Sequence, residues 1–254
     1  MQLEDKVVVI TGGASGIGLA MGRRFVAEGA RAVVLADRDG DRARSEAQRI
    51  NAHAETLDVA VEGAIEALVD AVEARHGPID LFCSNAGITA VGGAELPDAD
   101  WQRVWEVNLM AHVRAARALL PRMLARGSGY LLQTASAAGL LSQFDAPYAV
   151  SKHAAVAFAE WLSVAYGDRG IGVSCLCPGA VDTPLLRAES DPRRALLSQG
   201  LLDADAVAAI VVEALAQRRF LILTHEVVQD QWQRKVADPA RWLRGMRRLY
   251  GQLD

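Results

Sequence analysis

Short apolar runs alternate along the chain with longer amphipathic stretches, and this alternation restricts the fold more than any other feature. The apolar runs are typical of β-strands and lie at residues 6–11, 32–36, 54–59, 79–84, 130–134, 171–177 and 220–224. Most of them lack strict polar–apolar alternation, as expected of a parallel sheet that is buried on both faces. The stretches between them predict helices near 17–28, 40–51, 61–76, 101–126, 147–169 and 203–217. The β-α-β order predicts an α/β fold, a doubly wound parallel sheet of about seven strands with helices on both faces.

The length of 254 residues allows one or two domains. Hydrophobic residues make up 51% of the chain and charged residues 23%, which excludes disorder as the main state. The chain has no linker-like stretch, low-complexity segment or 20–50-residue repeat. We therefore predict one doubly wound domain over residues 1–254, in which residues 225–254 form a helical C-terminal extension.

Charge and cysteine content restrict the partners and the compartment. A net charge of −4 argues against nucleic acid as the main partner, because binding phosphates requires a basic field. No apolar stretch is typical of a secretory signal or a membrane span, so no membrane partner is expected. Three cysteines are too few for a disulfide scaffold and indicate a reducing compartment. We expect a cytoplasmic protein.

A glycine-rich segment, Thr11–Gly18, follows the first predicted strand and opens the first helix. Its glycines at 12, 16 and 18 permit a tight turn and close approach of a pyrophosphate to backbone N–H groups, and the helix dipole favours the anion. This pattern predicts a Rossmann-type nucleotide site. The expected cofactor contacts in this segment come from Gly12, Ser15, Gly16, Ile17 and Gly18.

Asp37 lies 19 residues beyond Gly18, just after the second predicted strand, close to the spacing that ribose recognition requires. A carboxylate there accepts hydrogen bonds from the adenosine ribose and repels a 2′-phosphate, which favours NAD over NADP. The neighbouring Arg38 is expected either to stack on adenine or pair with a phosphate, or else to be a solvated loop residue. The alternative for the whole pattern is a tight turn followed by a solvated acidic loop.

Tyr148 and Lys152 are spaced i and i+4 at the start of a predicted helix, so both can reach one ligand. A free tyrosine is a poor base at neutral pH, but a nearby cation favours the phenolate and brings its pKa toward the working range. Ser136 ends a predicted strand, where its hydroxyl can hydrogen-bond a reacting oxygen. Taken alone, the Tyr–Lys spacing is also consistent with two residues on the exposed face of a helix that have no catalytic role.

With these motifs in order, the chain from about residue 5 to 224 resembles the short-chain dehydrogenase/reductase family, of the NAD-preferring type. The glycine motif, Ser136, Tyr148 and Lys152 match the family's pattern. Further matches, in chain order, are Asp58 with Val59, Asn85-Ala86-Gly87, Asn108, and the segment Pro178-Gly179-Ala-Val181-Asp-Thr183. Ser84 stands where the family often has another asparagine.

The resemblance implies an NAD-dependent alcohol dehydrogenase or ketoreductase, so that residues 1–254 would form a single dinucleotide-binding catalytic domain with an atypical helical extension at 225–254. Tyr148 is implied to exchange a proton with the substrate oxygen, which Ser136 steadies. Lys152 is implied to hold the nicotinamide ribose and lower the Tyr148 pKa, and Asn108 to position a relay water. Implied cofactor contacts include Asp58, Val59, Asn85, Ala86, Gly87, Pro178, Gly179, Val181 and Thr183. The rival hypothesis is a non-catalytic dinucleotide-binding sensor or scaffold; a nucleotide-sugar dehydratase or epimerase is a weaker third.

The expected substrate pocket is apolar and predicts a secondary alcohol or ketone as the small-molecule partner. Its predicted lining is Ala138, Leu140, Phe144, Ala180, Leu185 and Leu186. Arg187 is the nearest cation for an anionic substrate, with a solvated side chain as the alternative. A polar pocket, with these residues packing a loop core, is the other alternative.

The C-terminus departs from the family's usual ending and carries six basic residues against two acidic ones after Gln231. We expect an amphipathic helix packed on the body, with Trp232, Trp242, Leu243, Met246 and Leu249 inward; a membrane-surface or nucleic-acid role is the alternative. The resemblance implies a homodimer or homotetramer.

No metal site is expected, because Cys175 and Cys177 are interpreted as buried strand residues and no His–Cys cluster lies nearby in sequence.

Overall fold

The computed structural model describes residues 1–142, 145–187 and 200–251. Its strands form one seven-stranded sheet of order β3-β2-β1-β4-β5-β6-β7, and every neighbouring pair is parallel. The strands are β1 Val7–Thr11, β2 Ala32–Asp37, β3 His53–Thr56, β4 Leu81–Ser84, β5 Gly129–Thr134, β6 Ile171–Cys177 and β7 Leu221–Leu223. The predicted α/β fold is confirmed.

Helices cover both faces of this sheet. They are α1 Gly16–Ala27, α2 Gly40–Ile50, α3 Ala64–His76, α4 Asp98–Trp105, α5 Ala111–Ala125, α6 Ala138–Leu141, α7 Ala146–Tyr166, α8 Pro184–Arg187, α9 Ala204–Ala216, α10 Glu226–Ala237 and α11 Pro239–Tyr250. The continuous helix predicted at 101–126 is wrong in one respect, because a π-helical turn at Glu106–Met110 separates α4 from α5.

Strand β1 explains the continuous apolar runs of the sequence. All five of its residues are buried. Val7 and Val9 pack in the core layer that includes side chains of α3, α5 and α7, whereas Val8 and Ile10 pack in the layer that includes α1 and α9. A strand covered on both faces requires apolar residues at successive positions, not at alternate ones.

The strand order reverses beside β1, which lies between β2 and β4. Connections leave this point to opposite faces of the sheet, so a crevice opens at the carboxyl ends of the strands. Within the described residues, the helices are too short or too polar to cross a membrane.

The chain after β7 forms helices α10 and α11. Trp232 and Trp242 are partly buried against the main core. Leu243 is 54% exposed, so the prediction that it points inward is wrong. Asp238 caps α11 by accepting a hydrogen bond from Arg241 N at 2.9 Å. Residues 252–254 of the predicted extension lie outside the described residues.

Candidate active site

An open cleft of about 280 Å³ lies at the carboxyl ends of the strands around β1. Among the residues expected to contact a cofactor, it is lined by Gly12, Ser15, Gly16, Ile17, Asp37, Arg38, Asp58, Val59, Asn85, Ala86, Gly87, Tyr148, Lys152, Pro178 and Thr183. Residues as far apart as 12 and 183 therefore meet in one place. The remaining cofactor candidates, Gly18, Gly179 and Val181, are not among the residues that line the cleft.

The glycine loop has the backbone geometry that the sequence indicated. Gly12 and Gly16 have φ values of +65° and +52°, a region that other residues rarely adopt. A Cβ on Gly18 would lie 2.1 Å from the carbonyl oxygen of Gly12, so only glycine allows α1 to approach the loop so closely. The side chain of Ser15 makes no capping hydrogen bond at the start of α1. The first N–H groups of α1 thus lie uncapped at the cleft, which fits a pyrophosphate.

Asp37 ends β2 at the rim of the cleft, where two backbone groups hold its carboxylate. Oδ2 accepts a hydrogen bond from Ala14 N and Oδ1 accepts one from Asp39 N, each at 3.0 Å. The first bond ties the acidic residue directly to the glycine loop. Arg38 beside it is exposed and also lines the cleft.

Asn85 joins the ends of β1 and β4 below the cleft. Its Nδ2 donates to Thr11 O at 3.1 Å, and its backbone N–H donates to Thr11 Oγ1 at 2.9 Å. A side chain expected to contact cofactor is therefore also a structural link between the central strands. Asp58 also lines the cleft, and its Oδ1 accepts a hydrogen bond from Ala60 N at 2.9 Å.

Lys152 is buried on α7 and donates from Nζ to Thr134 O at the end of β5, at 2.9 Å. Its Nζ lies 5.7 Å from the centre of the Tyr148 ring. Burial lowers the pKa of Lys152 from 10.5 to about 8, so the ammonium form still predominates at neutral pH. The paired positions therefore place a desolvated cation beside a half-buried phenol.

Ser136 follows Thr134 and Ala135, which both line the cleft. Its Oγ accepts a hydrogen bond from Ala138 N at 3.1 Å, which leaves the hydroxyl proton available to donate. Ala137 N donates to Pro178 O at 2.8 Å, so the serine loop is tied to the segment after β6.

Asn108 lies within the π-helical turn and is completely buried. Its carboxamide exchanges two hydrogen bonds with the backbone of Ile88, each at 2.9 Å, and donates a third to Ser151 Oγ at 3.0 Å. Ser151 Oγ in turn donates to Tyr148 O at 2.9 Å. Asn108 therefore connects the loop after β4 to the first turn of α7. Single π turns inside helices are frequent at functional sites.

A buried polar layer lies near Lys152 on the sheet side. Burial, and secondarily the charge of Lys152, lower the pKa of His112 to about 3, so this imidazole is neutral at working pH and adds no second cation. Cys175 and Cys177 are both buried, with their sulfur atoms 3.8 Å apart. Over the described ranges, no three His, Cys, Asp or Glu side chains are grouped so that they could hold a metal.

The predicted substrate residues are dispersed. Leu185 lines the cleft, whereas Ala138 and Leu140 are buried, and Ala180 and Leu186 lie outside its lining. Phe144 falls outside the described residues. Sequence reasoning missed further lining residues: Leu57, Ile88, Val107, Thr134, Ala135 and Pro184. Several of them directly adjoin predicted site residues, so adjacency to the motifs was the signal that could have found them.

Comparison with known proteins gives concordant results. The family model described as short chain dehydrogenase matches residues 6–194. A 1-deoxy-11-beta-hydroxypentalenate dehydrogenase of Streptomyces exfoliatus is 40% identical, over 89% of this chain and 85% of that protein. Momilactone A synthase of Oryza sativa subsp. japonica is 39% identical, over 74% and 70%. A crystal structure of a short chain dehydrogenase/reductase from Burkholderia phymatum in complex with NAD aligns with a TM-score of 0.84 and 32% identity, covering 92% and 93%.

Proposed function

The chain belongs to the short chain dehydrogenase family, and we propose that it is an NAD-dependent alcohol dehydrogenase or ketone reductase. One observation carries the proposal: Tyr148 and Lys152 line the same cleft as the glycine loop and Asp37. Proton-transfer groups and a nucleotide-type cradle are thereby brought to one cavity. A nicotinamide cofactor bound there would supply hydride transfer, and the protein would supply orientation and acid–base chemistry.

In this proposal Tyr148 is the general acid and base. Its phenolic oxygen takes the hydroxyl proton of a secondary alcohol during oxidation and returns a proton to the ketone oxygen during reduction. The positive charge of buried Lys152 favours the phenolate form, and its contact with Thr134 O fixes its position. Ser136 donates its hydroxyl proton to the reacting oxygen, and Asn108 holds the turn of α7 from which Tyr148 projects.

The buried lysine also argues against a non-catalytic sensor or scaffold. Burial of a lysine is costly, and its pKa falls accordingly. A module that only binds a dinucleotide needs no such desolvated cation beside a phenol. The deciding experiment is a cofactor-reduction screen over a panel of secondary alcohols, with NAD and NADP compared directly. Binding of NAD without turnover of any alcohol or ketone would favour the sensor.

We expect the substrate to be a largely apolar secondary alcohol or ketone. Ile88, Val107 and Leu185 contribute apolar surface to the cleft, and burying an apolar ligand against such groups contributes roughly 25 cal/mol per Å². Arg187 holds Asp182 through two hydrogen bonds of 2.7 Å, so its charge is already paired.

This expectation is tested by measuring kcat/KM for matched aliphatic, aromatic and carboxylate-bearing alcohols. The pentalenate relative is named for a hydroxylated carboxylate, so the carboxylate series is the critical comparison. Higher kcat/KM for the neutral alcohols is the expected result. A clear preference for carboxylates, reduced by Arg187→Gln but not by Arg169→Gln, which lies before β6, would contradict the apolar pocket.

We also propose a homodimer or homotetramer that pairs through α7. Val150, Trp161 and Val164 are 47%, 54% and 87% exposed and follow one stripe of this helix. A stripe of exposed apolar residues is typical of an interface. Val164→Glu should reduce the molar mass measured by light scattering at micromolar concentration, whereas Val61→Glu, at another exposed valine, should not. Light scattering that shows a monomer for the wild-type protein would contradict the proposed homodimer or homotetramer.

The three cysteines are free and buried, which supports the reducing cytoplasm as the proposed compartment.

A further inference from the structure

His225 connects the C-terminal extension to the segment that closes one side of the cleft. It follows β7 and precedes the first residue of α10. Its imidazole makes hydrogen bonds to Gly179, Ala180 and Gly200, which are 25–46 residues away along the chain. Gly179 directly follows the cleft residue Pro178. This role was not predictable from the sequence, because His225 shares no ligand spacing with another histidine.

The hydrogen bonds of His225 determine which ring nitrogen carries the proton. Nδ1 lies 3.2 Å from Gly179 N and 2.6 Å from Thr224 Oγ1. A backbone N–H can only donate, so Nδ1 must be the unprotonated acceptor. Nε2 therefore carries the proton and donates it to Ala180 O at 3.1 Å and Gly200 O at 3.0 Å. One neutral imidazole thus uses both nitrogens to hold backbone groups on either side of it.

Glycine is required at position 179 for the contact with the His225 ring. A Cβ at position 179 would lie 2.8 Å from His225 Nδ1 and 3.0 Å from the adjacent ring carbon. These distances are too short for ordinary contacts, so the absence of a side chain allows the imidazole to reach the backbone. The contact with His225, 46 residues further along the chain, therefore explains why glycine follows Pro178.

The same segment leads directly to the proposed catalytic serine. Pro178 O accepts a hydrogen bond from Ala137 N at 2.8 Å, and Ala137 follows Ser136. On its other side, Ala180 O also accepts from Leu202 N at 3.1 Å. His225 consequently holds the backbone of Gly179 and Ala180, and the adjoining Pro178 contacts the loop that bears Ser136.

We propose that His225 is a positioning residue for the nicotinamide end of the cleft. Its two nitrogens fix the Gly179–Ala180 backbone, and through Pro178 they set the position of Ser136. This role rests on the proposed function, because it presumes that the segment contacts nicotinamide. The first residue of the atypical extension thereby becomes part of the support of the site.

Two conservative variants separate the two hydrogen-bonding roles. In His225→Asn the amide oxygen can replace Nδ1 as acceptor for Gly179 N–H, whereas in His225→Gln the amide nitrogen can replace Nε2 as donor to Ala180 O and Gly200 O. His225→Leu removes both. The matched control is Glu226→Gln, at the neighbouring exposed position.

Amide hydrogen exchange of the ligand-free protein tests the geometry without any turnover. His225→Leu and His225→Gln should speed exchange at Gly179 by at least about tenfold, whereas His225→Asn and Glu226→Gln should leave it near the wild-type rate. Equal exchange at Gly179 in all four variants would overturn the proposal. So would a uniform increase over the whole chain that His225→Asn fails to reverse, because that result indicates only a packing role.

Ligand binding tests the consequence for the site. His225→Leu should weaken binding of NAD by about fivefold to tenfold, with little change for ADP-ribose, which lacks the nicotinamide. Equal losses for both ligands would contradict positioning at the nicotinamide end. Failure of the wild-type protein to bind either ligand would instead contradict the proposed function, while hydrogen exchange would still decide whether His225 holds the backbone.

Discussion

Replacing Tyr148 by phenylalanine should lower kcat by about 10²–10⁴-fold, the usual contribution of a positioned acid–base group. The change removes one hydroxyl and keeps the ring, so the packing of α7 should persist. The Kd for NAD should change little, because the glycine loop and Asp37 are untouched. Single-turnover kinetics and fluorescence titration with NAD measure the two quantities separately.

Lys152→Ala provides the matched comparison. Lys152 lines the cleft and donates to Thr134 O, so its removal should lower both turnover and affinity for NAD. The two variants should therefore differ in cofactor binding while both lose activity. Substantial turnover by Tyr148→Phe would contradict the assignment of Tyr148 as the acid–base group.

Cofactor choice should favour NAD over NADP by well over tenfold in kcat/KM, an energy difference above about 1.4 kcal/mol. We expect Asp37 to cause this preference, because its carboxylate is fixed by Ala14 N and Asp39 N at the rim and would repel a 2′-phosphate. Asp37→Ser should lower the ratio of kcat/KM with NAD to kcat/KM with NADP, because it removes the carboxylate that would repel the 2′-phosphate and leaves Arg38 able to pair with that phosphate.

Arg38→Gln is the control for that interpretation. In the Asp37→Ser background, Arg38→Gln should reverse the increase in kcat/KM with NADP. As a single substitution, Arg38→Gln should leave the preference for NAD in place. Steady-state kinetics with both cofactors at saturating alcohol measure each ratio. A wild-type enzyme that works better with NADP would show that Arg38 dominates at this rim.

The fold and the glycine-loop side of the cleft were predictable because their signals are local. The buried runs reveal strands covered on both faces, and the φ values of Gly12 and Gly16 explain why glycine stands there. Asp37 was identifiable from spacing alone, because the end of β2 is necessarily one strand away from the glycine loop in this topology.

The π-helical turn around Asn108 was not predictable in the same way. An amphipathic pattern is nearly the same for a helix with or without one extra residue in a turn, so the sequence indicated one continuous helix. The buried bonds from Asn108 to Ile88 and Ser151 stabilise the interrupted form, and these partners lie 20 and 43 residues away.

Periodicity, and spacing within one or two elements, were enough to predict the sheet, the glycine loop and the Tyr–Lys pair. Other outcomes depend on which distant surfaces meet when the chain folds. Leu140 is buried outside the cleft lining while Ile88 and Val107 line it, Leu243 stays exposed, and His225 holds Gly179. A short polar contact between residues far apart leaves no periodic trace in the chain.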